Sequence, residues 1–294
     1  MGILFKDLVN RVFPELKIDK IKKIGEGDTY VAFLINDHYL FKQAKTDKAR
    51  QQLKKEILLM DFLAGSFYIP IPRFILVENN YLFGAYEILK GIPLTEYLEK
   101  HEFTKSHADQ INNFLATLHG KSFRTLKECD LPIMDYFEEY GHDYEFIKRV
   151  SESIFSKRQK KIILEKYGSY LSCKNNFEYK PQLLHNDFSF NHIICDPESG
   201  NIQGVIDFGD AAIGDAAYDF YFLYDLPESL LMEQICKFHP ECNSEFINRI
   251  QFYSFANVMQ ILIETYKEKN EQLINLEKIN VQKWFNIHSQ SIDF

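Results

Sequence analysis

Two aspartate motifs in the second half of the sequence hold the residues whose types and spacing suit chemistry. Asp187 lies in HNDFSFNHIICD, residues 185–196, and Asp207 opens the DFG of IDFGD, residues 206–210. A carboxylate can take the proton of an attacking hydroxyl, and carboxylate oxygens are ligands that Mg²⁺ prefers. An apolar strand, a turn and a second apolar strand separate the motifs, and this order is more specific than either motif alone. We predict that Asp187 is a catalytic base and that Asp207 binds a metal ion beside phosphate groups.

His192 is predicted to be the second metal ligand. Loops of this kind carry an asparagine five residues after the aspartate, but here Asn191 is one position too early. Three apolar residues and Asp196 follow His192 in the order that normally follows the ligand, and a one-residue slip would turn the strand over. A neutral imidazole can bind a divalent metal, although Mg²⁺ prefers oxygen.

Gly25 and Gly27, in IGEGDTYVAF at residues 24–33, form a candidate phosphate-binding turn. Glycine lets a backbone approach a phosphate closely because it has no Cβ. The third glycine of a GxGxxG pattern is absent and Tyr30 occupies its place. An ordinary hairpin turn is therefore an equally good interpretation of this stretch.

Lys42 and Glu56 form a candidate pair for binding phosphates. Lys42 lies in the apolar strand YLFKQAK, where a lysine is costly unless its charge is paired, and Glu56 lies on the following helix. Phosphoryl-transfer enzymes use a strand lysine held by a helix glutamate in this way. Lys45 is a rival, but strand alternation leaves it in the turn, and an exposed edge-strand lysine is the simpler alternative for Lys42.

The elements that must position these residues predict an α+β protein with two lobes. Apolar residues recur at helical spacing over residues 3–17 and 48–65, and short strands with turn signals lie between and after them. From residue 94 onwards the pattern is mostly helical, apart from the strands beside the aspartate motifs. We predict an N-terminal nucleotide-binding lobe at residues 1–88 and a catalytic, substrate-binding helical lobe at residues 89–294.

Composition excludes several classes of protein. The 294 residues are 46% hydrophobic with a net charge of −8, and they show neither a basic stripe nor a long apolar run, so we expect no nucleic-acid or membrane partner. Five cysteines at scattered spacings predict no disulfide framework and no zinc site. These features favour a cytoplasmic protein, and a monomer is expected.

The motif IDFGDAAIGDAAYD closely resembles the signature of the aminoglycoside phosphotransferase family, a branch of the protein-kinase-like fold. His192 resembles the 2''-phosphotransferase subgroup in particular. The resemblance implies transfer of the γ-phosphoryl group of a nucleoside triphosphate to an aminoglycoside hydroxyl, expected to be the 2''-hydroxyl, with antibiotic resistance as the outcome. It also implies Mg²⁺ and an acidic substrate site, for which Asp210, Asp225 and Glu228 are the candidates. An ordinary helix N-terminal turn is the alternative for the last two.

The nucleotide is predicted to bind at FGAYEILKG, residues 83–91, which would connect the lobes. Tyr86 lies where the chain leaves the last sheet strand, and a large side chain there would narrow an adenine pocket. Backbone groups around Ile88 could hold guanine, which favours GTP over ATP; simple core packing is the alternative for Tyr86. A kinase of choline, homoserine or a ketosamine, and an inactive kinase-like binding module, are the alternative functions.

Overall fold

The computed structural model describes residues 2–27, 29–223 and 235–287. The chain divides into two compact units. The first comprises Met1–Pro132 and His185–Ile213, and the second comprises Ile133–Leu184 and Gly214–Phe294. The sheet, both aspartate motifs and the candidate phosphate-binding residues belong to the first unit.

The strands and helices follow the predicted order. The strands are β1 (Ile21–Glu26), β2 (Tyr30–Ile35), β3 (Tyr39–Ala44), β4 (Phe74–Val77), β5 (Phe83–Glu87), β6 (Ile92–Pro93), β7 (Gln182–Leu184), β8 (Ile193–Cys195), β9 (Ile202–Val205) and β10 (Ala212–Gly214). The helices are α1 (Gly2–Val12), α2 (Asp47–Leu63), α3 (Leu94–Leu98), α4 (Lys105–His119), α5 (Tyr136–Ile154), α6 (Lys157–Ser172), α7 (Ser244–Lys267) and α8 (Glu271–Ile287). The mixed α+β fold class is confirmed. The boundary at residue 88 stays a prediction.

The five-stranded sheet of the first unit is antiparallel throughout, with strand order β1-β2-β3-β5-β4. The β2–β3 turn places Asn36 and Asp37 at φ 54°, the left-handed conformation that tight hairpins need. Alternate residues of β2 are buried, which puts Phe33 into a core with Phe5 and Phe41 on one face of the sheet. The other face of β2 and β3 is left to carry polar chemistry.

Two local signals set the ends of the first helices. Helix α1 ends at Val12, short of the predicted residue 17, because Pro14 disfavours helical conformation at the residue before it. Helix α2 begins at Asp47 because the Thr46 side chain accepts a hydrogen bond from the Ala49 amide.

Strands β8 and β9 form the hairpin that carries the two aspartate motifs. They pair antiparallel, and β6 adds to the edge of β8. The Asp196 side chain accepts hydrogen bonds from the Glu198 and Ser199 amides and so fixes the turn between them. Asp187 therefore precedes one strand of a rigid hairpin and Asp207 follows the other.

The second unit contains α5 to α8. A buried ion pair joins Arg249 to Asp215 at 2.5 Å, and the Tyr253 hydroxyl donates to the same carboxylate. Cys236 and Cys242 form a disulfide, a pairing that their spacing did not predict. Among the described residues, no helix combines the length and the apolar character that crossing a membrane requires.

Candidate active site

Lys42 lies at the centre of a buried charge cluster. Its ammonium donates hydrogen bonds to Glu56 Oε1 at 2.7 Å and to Asp207 Oδ1 at 2.8 Å. Lys42 is 7% exposed and Glu56 2% exposed, so water screens this contact little. Strand β3 brings the lysine, α2 the glutamate and the β8–β9 hairpin the aspartate. The structure thus places together three residues that the sequence separates widely.

Burial and the neighbouring charges shift the pKa values of this cluster in opposite directions. Burial alone would lower the pKa of Lys42, but the charges of Glu56 and Asp207 raise it well above its usual value. Burial raises the pKa of the Asp207 carboxyl, yet the charge and hydrogen bond of Lys42 more than offset this and lower it. Burial raises the pKa of Glu56 against the opposing effect of Lys42. Lys42 is therefore a permanent cation that needs both carboxylates.

Asp207 adopts a backbone conformation that few residues take without support. Its φ of 69° and ψ of 63° are left-handed, which costs a non-glycine residue about 1–2 kcal/mol. The next residue, Phe208, is fully buried, and its ring lies 4.5 Å from that of His185. One ring nitrogen of His185 bonds to the Ile206 carbonyl at 3.0 Å. The buried pair thus anchors the chain on both sides of Asp207 and aims its carboxylate.

His192 connects the two aspartate motifs. Its Nδ1 lies 2.7 Å from the Asp187 carbonyl oxygen, and because a carbonyl only accepts, Nδ1 carries a proton and donates. Its Nε2 faces Asp207 Oδ2 at 3.9 Å. The Asp187 side chain lies close by, with Oδ2 at 3.6 Å from Nδ1. Asn191 is turned away, and its side chain accepts a hydrogen bond from Thr95.

These donors fit a divalent cation. In the neutral imidazole the fixed Nδ1 proton leaves the Nε2 lone pair facing a carboxylate oxygen, an arrangement that a cation between them would stabilise. The described residues contain no group of three or more histidine, cysteine, aspartate or glutamate side chains arranged for a metal. His192 and Asp207 would accordingly hold Mg²⁺ together with oxygens of the nucleotide.

The predicted phosphate-binding turn connects β1 to β2. The Gly27 amide donates to the Tyr30 carbonyl, and Lys45 donates to the Gly27 carbonyl at 2.9 Å. A Cβ on Gly27 would meet nothing within 4 Å, so packing inside the protein does not require glycine there. Gly25 pairs with Ala32 beside a bulge in β1. The open side of Gly27 stays available for a ligand.

Tyr86 and Ile88 lie at the end of the sheet. Tyr86 is 4% exposed and pairs in register with Leu40 and Phe74. Its ring meets Phe74 edge-on at 5.1 Å. The Ile88 amide donates to the His38 carbonyl at 2.8 Å and is therefore already used by the fold. If Ile88 contacts a base, the contact must use its carbonyl group.

Asp210 borders a cavity of about 730 Å³ that is also lined by the N-terminal half of α2, residues 128–130 and Asn186. The lining has mixed charge, since it includes Lys48, Lys55 and Asp130 as well as Asp210. Asp225 and Glu228 lie outside the described residues, so their substrate role stays a prediction.

Two positions that contact the site, Gln52 and Lys55, were not predicted from the sequence. Gln52 donates to Asp210 Oδ1 at 3.0 Å, and Lys55 donates to the Ala211 carbonyl at 3.2 Å, so α2 holds the segment after DFG. Asn186 has φ 66°, a left-handed conformation that asparagine adopts more readily than most residues with a side chain. The polar residues at positions 52, 55 and 56 lie on one face of α2, and this pattern could have predicted that the face makes polar contacts. For the left-handed conformation of Asn186, the residue type was the one available sequence signal.

A family model described as the phosphotransferase enzyme family matches residues 20–236. The match covers the sheet, the Lys42 cluster and both aspartate motifs. The chain belongs to the phosphotransferase enzyme family. It is an enzyme with a kinase-like fold.

Solved structures support the same fold. A GDP complex of an aminoglycoside 2'-phosphotransferase IIIa mutant is 20% identical, with 99% of each chain covered and a TM-score of 0.88. A complex of APH(2'')-IIIa with GDP and kanamycin is 21% identical over 96% of this phosphotransferase and 98% of that chain, with a TM-score of 0.85. A macrolide 2'-phosphotransferase from Brachybacterium faecium is 15% identical over 95% and 97%, with a TM-score of 0.72. At these identities the likeness is one of fold.

Proposed function

We propose that this phosphotransferase moves the γ-phosphoryl group of GTP or ATP to a hydroxyl group of an aminoglycoside, with the 2''-hydroxyl as the acceptor, and so confers antibiotic resistance. The observation that carries the proposal is the placement of Asp187, His192 and Asp207 around one point, next to the Lys42–Glu56 pair. Likeness in fold to enzymes that bind aminoglycosides supports the choice of acceptor.

Each residue has a defined task in this reaction. Lys42 donates two hydrogen bonds within the described residues, to Glu56 and Asp207, so its third N–H can hold a phosphate oxygen. Asp187 accepts the proton of the acceptor hydroxyl while the hydroxyl oxygen forms a bond to the γ-phosphorus. At the same time the bond between the γ-phosphorus and the oxygen that bridges it to the β-phosphate breaks. The nucleoside diphosphate leaves with that electron pair. A bound Mg²⁺ would neutralise charge on the phosphates.

Four further assignments belong to the same proposal. Gly25 and Gly27 approach the phosphates, Tyr86 limits the depth of the base pocket, and the backbone of Ile88 contacts the base. Asp210, Asp225 and Glu228 bind the ammonium groups of the drug. A carboxylate accepts short, charge-assisted hydrogen bonds from such a cation.

The test is phosphoryl transfer itself. Wild-type protein with Mg²⁺ and either GTP or ATP is incubated with kanamycin-like and gentamicin-like compounds, and products are identified by mass spectrometry and the site of phosphorylation by NMR. We expect phosphorylated drug from the wild type and a loss of about 10²–10⁴-fold in kcat for Asp187→Ala. Turnover of choline, homoserine or a ketosamine without turnover of any aminoglycoside would disprove the acceptor.

A macrolide is a second candidate acceptor, because a macrolide 2'-phosphotransferase shares the fold. Erythromycin therefore belongs in the same panel. The inactive-module alternative predicts that wild type and Asp187→Ala both bind nucleotide and turn over nothing.

A further inference from the structure

Tyr30 stands out because its hydroxyl is buried without a hydrogen-bond partner in the part of the chain that the structure describes. Buried polar atoms are almost always hydrogen-bonded, and leaving one unpaired costs about 1–3 kcal/mol. A tyrosine in this place therefore carries a cost that phenylalanine would avoid. Such a cost is expected where a ligand completes the hydrogen bond.

The sheet register places Tyr30 beside Lys42. Tyr30 pairs with Ala44, and Ala32 pairs with Lys42, so Tyr30 and Lys42 are diagonal neighbours on the same face. The Lys42 ammonium lies 5.4 Å from the centre of the Tyr30 ring. The Tyr30 carbonyl also accepts the Gly27 amide that closes the glycine turn. Tyr30 thus contacts the glycine turn through its backbone, while its ring lies beside the lysine.

The charges around the phenol keep it a hydrogen-bond donor. Burial raises its pKa, the negative charge of Glu56 adds to this, and Lys42 opposes it. The carboxylates of Asp207 and Asp210 act in the same direction as Glu56. A protonated phenol beside a lysine that holds phosphate is a suitable donor for an anionic oxygen.

We propose that the Tyr30 hydroxyl donates a hydrogen bond to a phosphoryl oxygen of the bound nucleoside triphosphate. The residue in the place of the third glycine is then part of the phosphate site. This inference deepens the proposed function and rests on it only for the nature of the phosphoryl donor. It does not depend on which alcohol accepts the phosphate.

The experiment compares Tyr30→Phe with the wild type in two measurements. Phenylalanine keeps the ring over Lys42 and removes only the hydroxyl. Calorimetric titration with the β,γ-imido analogues of GTP and ATP, each with Mg²⁺, should show about 10- to 100-fold weaker binding. The melting temperature of the ligand-free variant should equal or exceed that of the wild type, because an unpaired polar atom has been removed.

Tyr39→Phe is the matched control, since Tyr39 lies on the neighbouring strand β3 and pairs with Ile35 away from the charge cluster. It should change neither measurement. Wild-type affinity of Tyr30→Phe for both analogues would overturn the proposal. Weaker binding together with a lower ligand-free melting temperature would also overturn it, because the hydroxyl would then be structural. Neither measurement includes an acceptor, so a wrong acceptor would leave the result intact.

Discussion

His192 shows that the register of the following strand can identify which residue of a loop faces the site. The strand pattern behind it predicted that the histidine, not Asn191, faces the site. The structure places the His192 ring between the Asp187 and Asp207 motifs and the Asn191 side chain against Thr95. The register was read from the apolar strand that follows, whereas Asn191 and His192 themselves lie in a short 3-10 helix just before that strand. The tautomer of His192 could not be predicted, because it depends on a carbonyl that only the folded loop brings near.

Replacing His192 by asparagine should change the preference for metal ions. Both ions bind oxygen ligands well, but replacing an amide oxygen by an imidazole nitrogen disfavours the harder Mg²⁺ more than it disfavours Mn²⁺. We expect His192→Asn to lower the Mn²⁺-to-Mg²⁺ ratio of kcat/KM on the order of tenfold. Steady-state kinetics in each metal measure this ratio. Asn191→Ala is the control and should leave it unchanged, and an unchanged ratio in both variants would remove His192 from the metal site.

Tyr86 allows a second test at the scale of one residue. Its side chain is buried beside Phe74 at the end of β5, where it would narrow the base pocket. Tyr86→Met replaces the aromatic ring by a smaller, flexible apolar side chain. The ratio of kcat/KM for ATP to that for GTP should rise several-fold, because the deeper base pocket can accommodate adenine. Equal ratios in variant and wild type would show that Tyr86 only packs the core.

Helix α2 is the element that links the parts of the site. One face of it presents Glu56 to Lys42, Lys55 to the Ala211 carbonyl and Gln52 to Asp210. The amphipathic pattern predicted the helix and its buried face, and a glutamate at a suitable distance predicted the pairing with Lys42. The contacts of Lys55 and Gln52 were not predicted, because their partners follow DFG and are distant in the chain. Such contacts depend on the fold, and spacing within a helix does not reveal them.

Lys55 should act as a positioning residue for the segment after Asp207. Burial lowers its pKa against the opposing charges of Asp210 and Glu56, so its place carries a cost that the bond to Ala211 partly offsets. We expect Lys55→Met to reduce kcat about tenfold and to leave KM for nucleotide nearly unchanged, since the Lys42–Glu56 grip remains. Lys55→Arg should recover most of kcat because it keeps the donor.

The matched control for that prediction is Arg50→Met, which removes a cation from the same helix that pairs with Asp47 and does not line the cavity beside Asp210. It should leave kcat and KM as in the wild type. If Arg50→Met and Lys55→Met behave alike, the contact with Ala211 has no role in positioning. Melting temperatures of both variants separate a loss of stability from a loss of rate.

At the scale of the whole molecule, the sequence predicted the order of elements and the fold class, and the structure confirms both. The division into compact units is a different matter. The first unit takes in His185–Ile213 from the second half of the chain, so the hairpin with both aspartates belongs with the sheet. Sequence patterns reveal where elements begin and end. They do not reveal which distant segments share a core, because that depends on long-range packing.

The second unit contains a carboxyl group that should make stability depend on pH. Asp143 Oδ2 is buried without a hydrogen-bond partner among the described residues. Burial raises the pKa of Asp143 from 3.8 to about 6, the nearby Gln260 side chain opposes this, and the charge of Glu139 adds to it. The folded protein therefore holds a proton at pH 4–6 that the unfolded chain releases. Stability falls as pH rises through this range.

Asp143→Asn should remove this penalty. At pH 7.5 we expect the variant to be more stable than the wild type by about 1–2 kcal/mol, a value reduced from the full shift because the carboxyl is partly solvated. At pH 4 the difference should vanish, since the wild-type carboxyl is then protonated. Urea unfolding followed by fluorescence measures it, because Trp284, the one tryptophan of the sequence, is 5% exposed in the same unit. Glu138→Gln, an exposed neighbour on α5, is the control, and an equal gain at both pH values would contradict the buried carboxyl as its source.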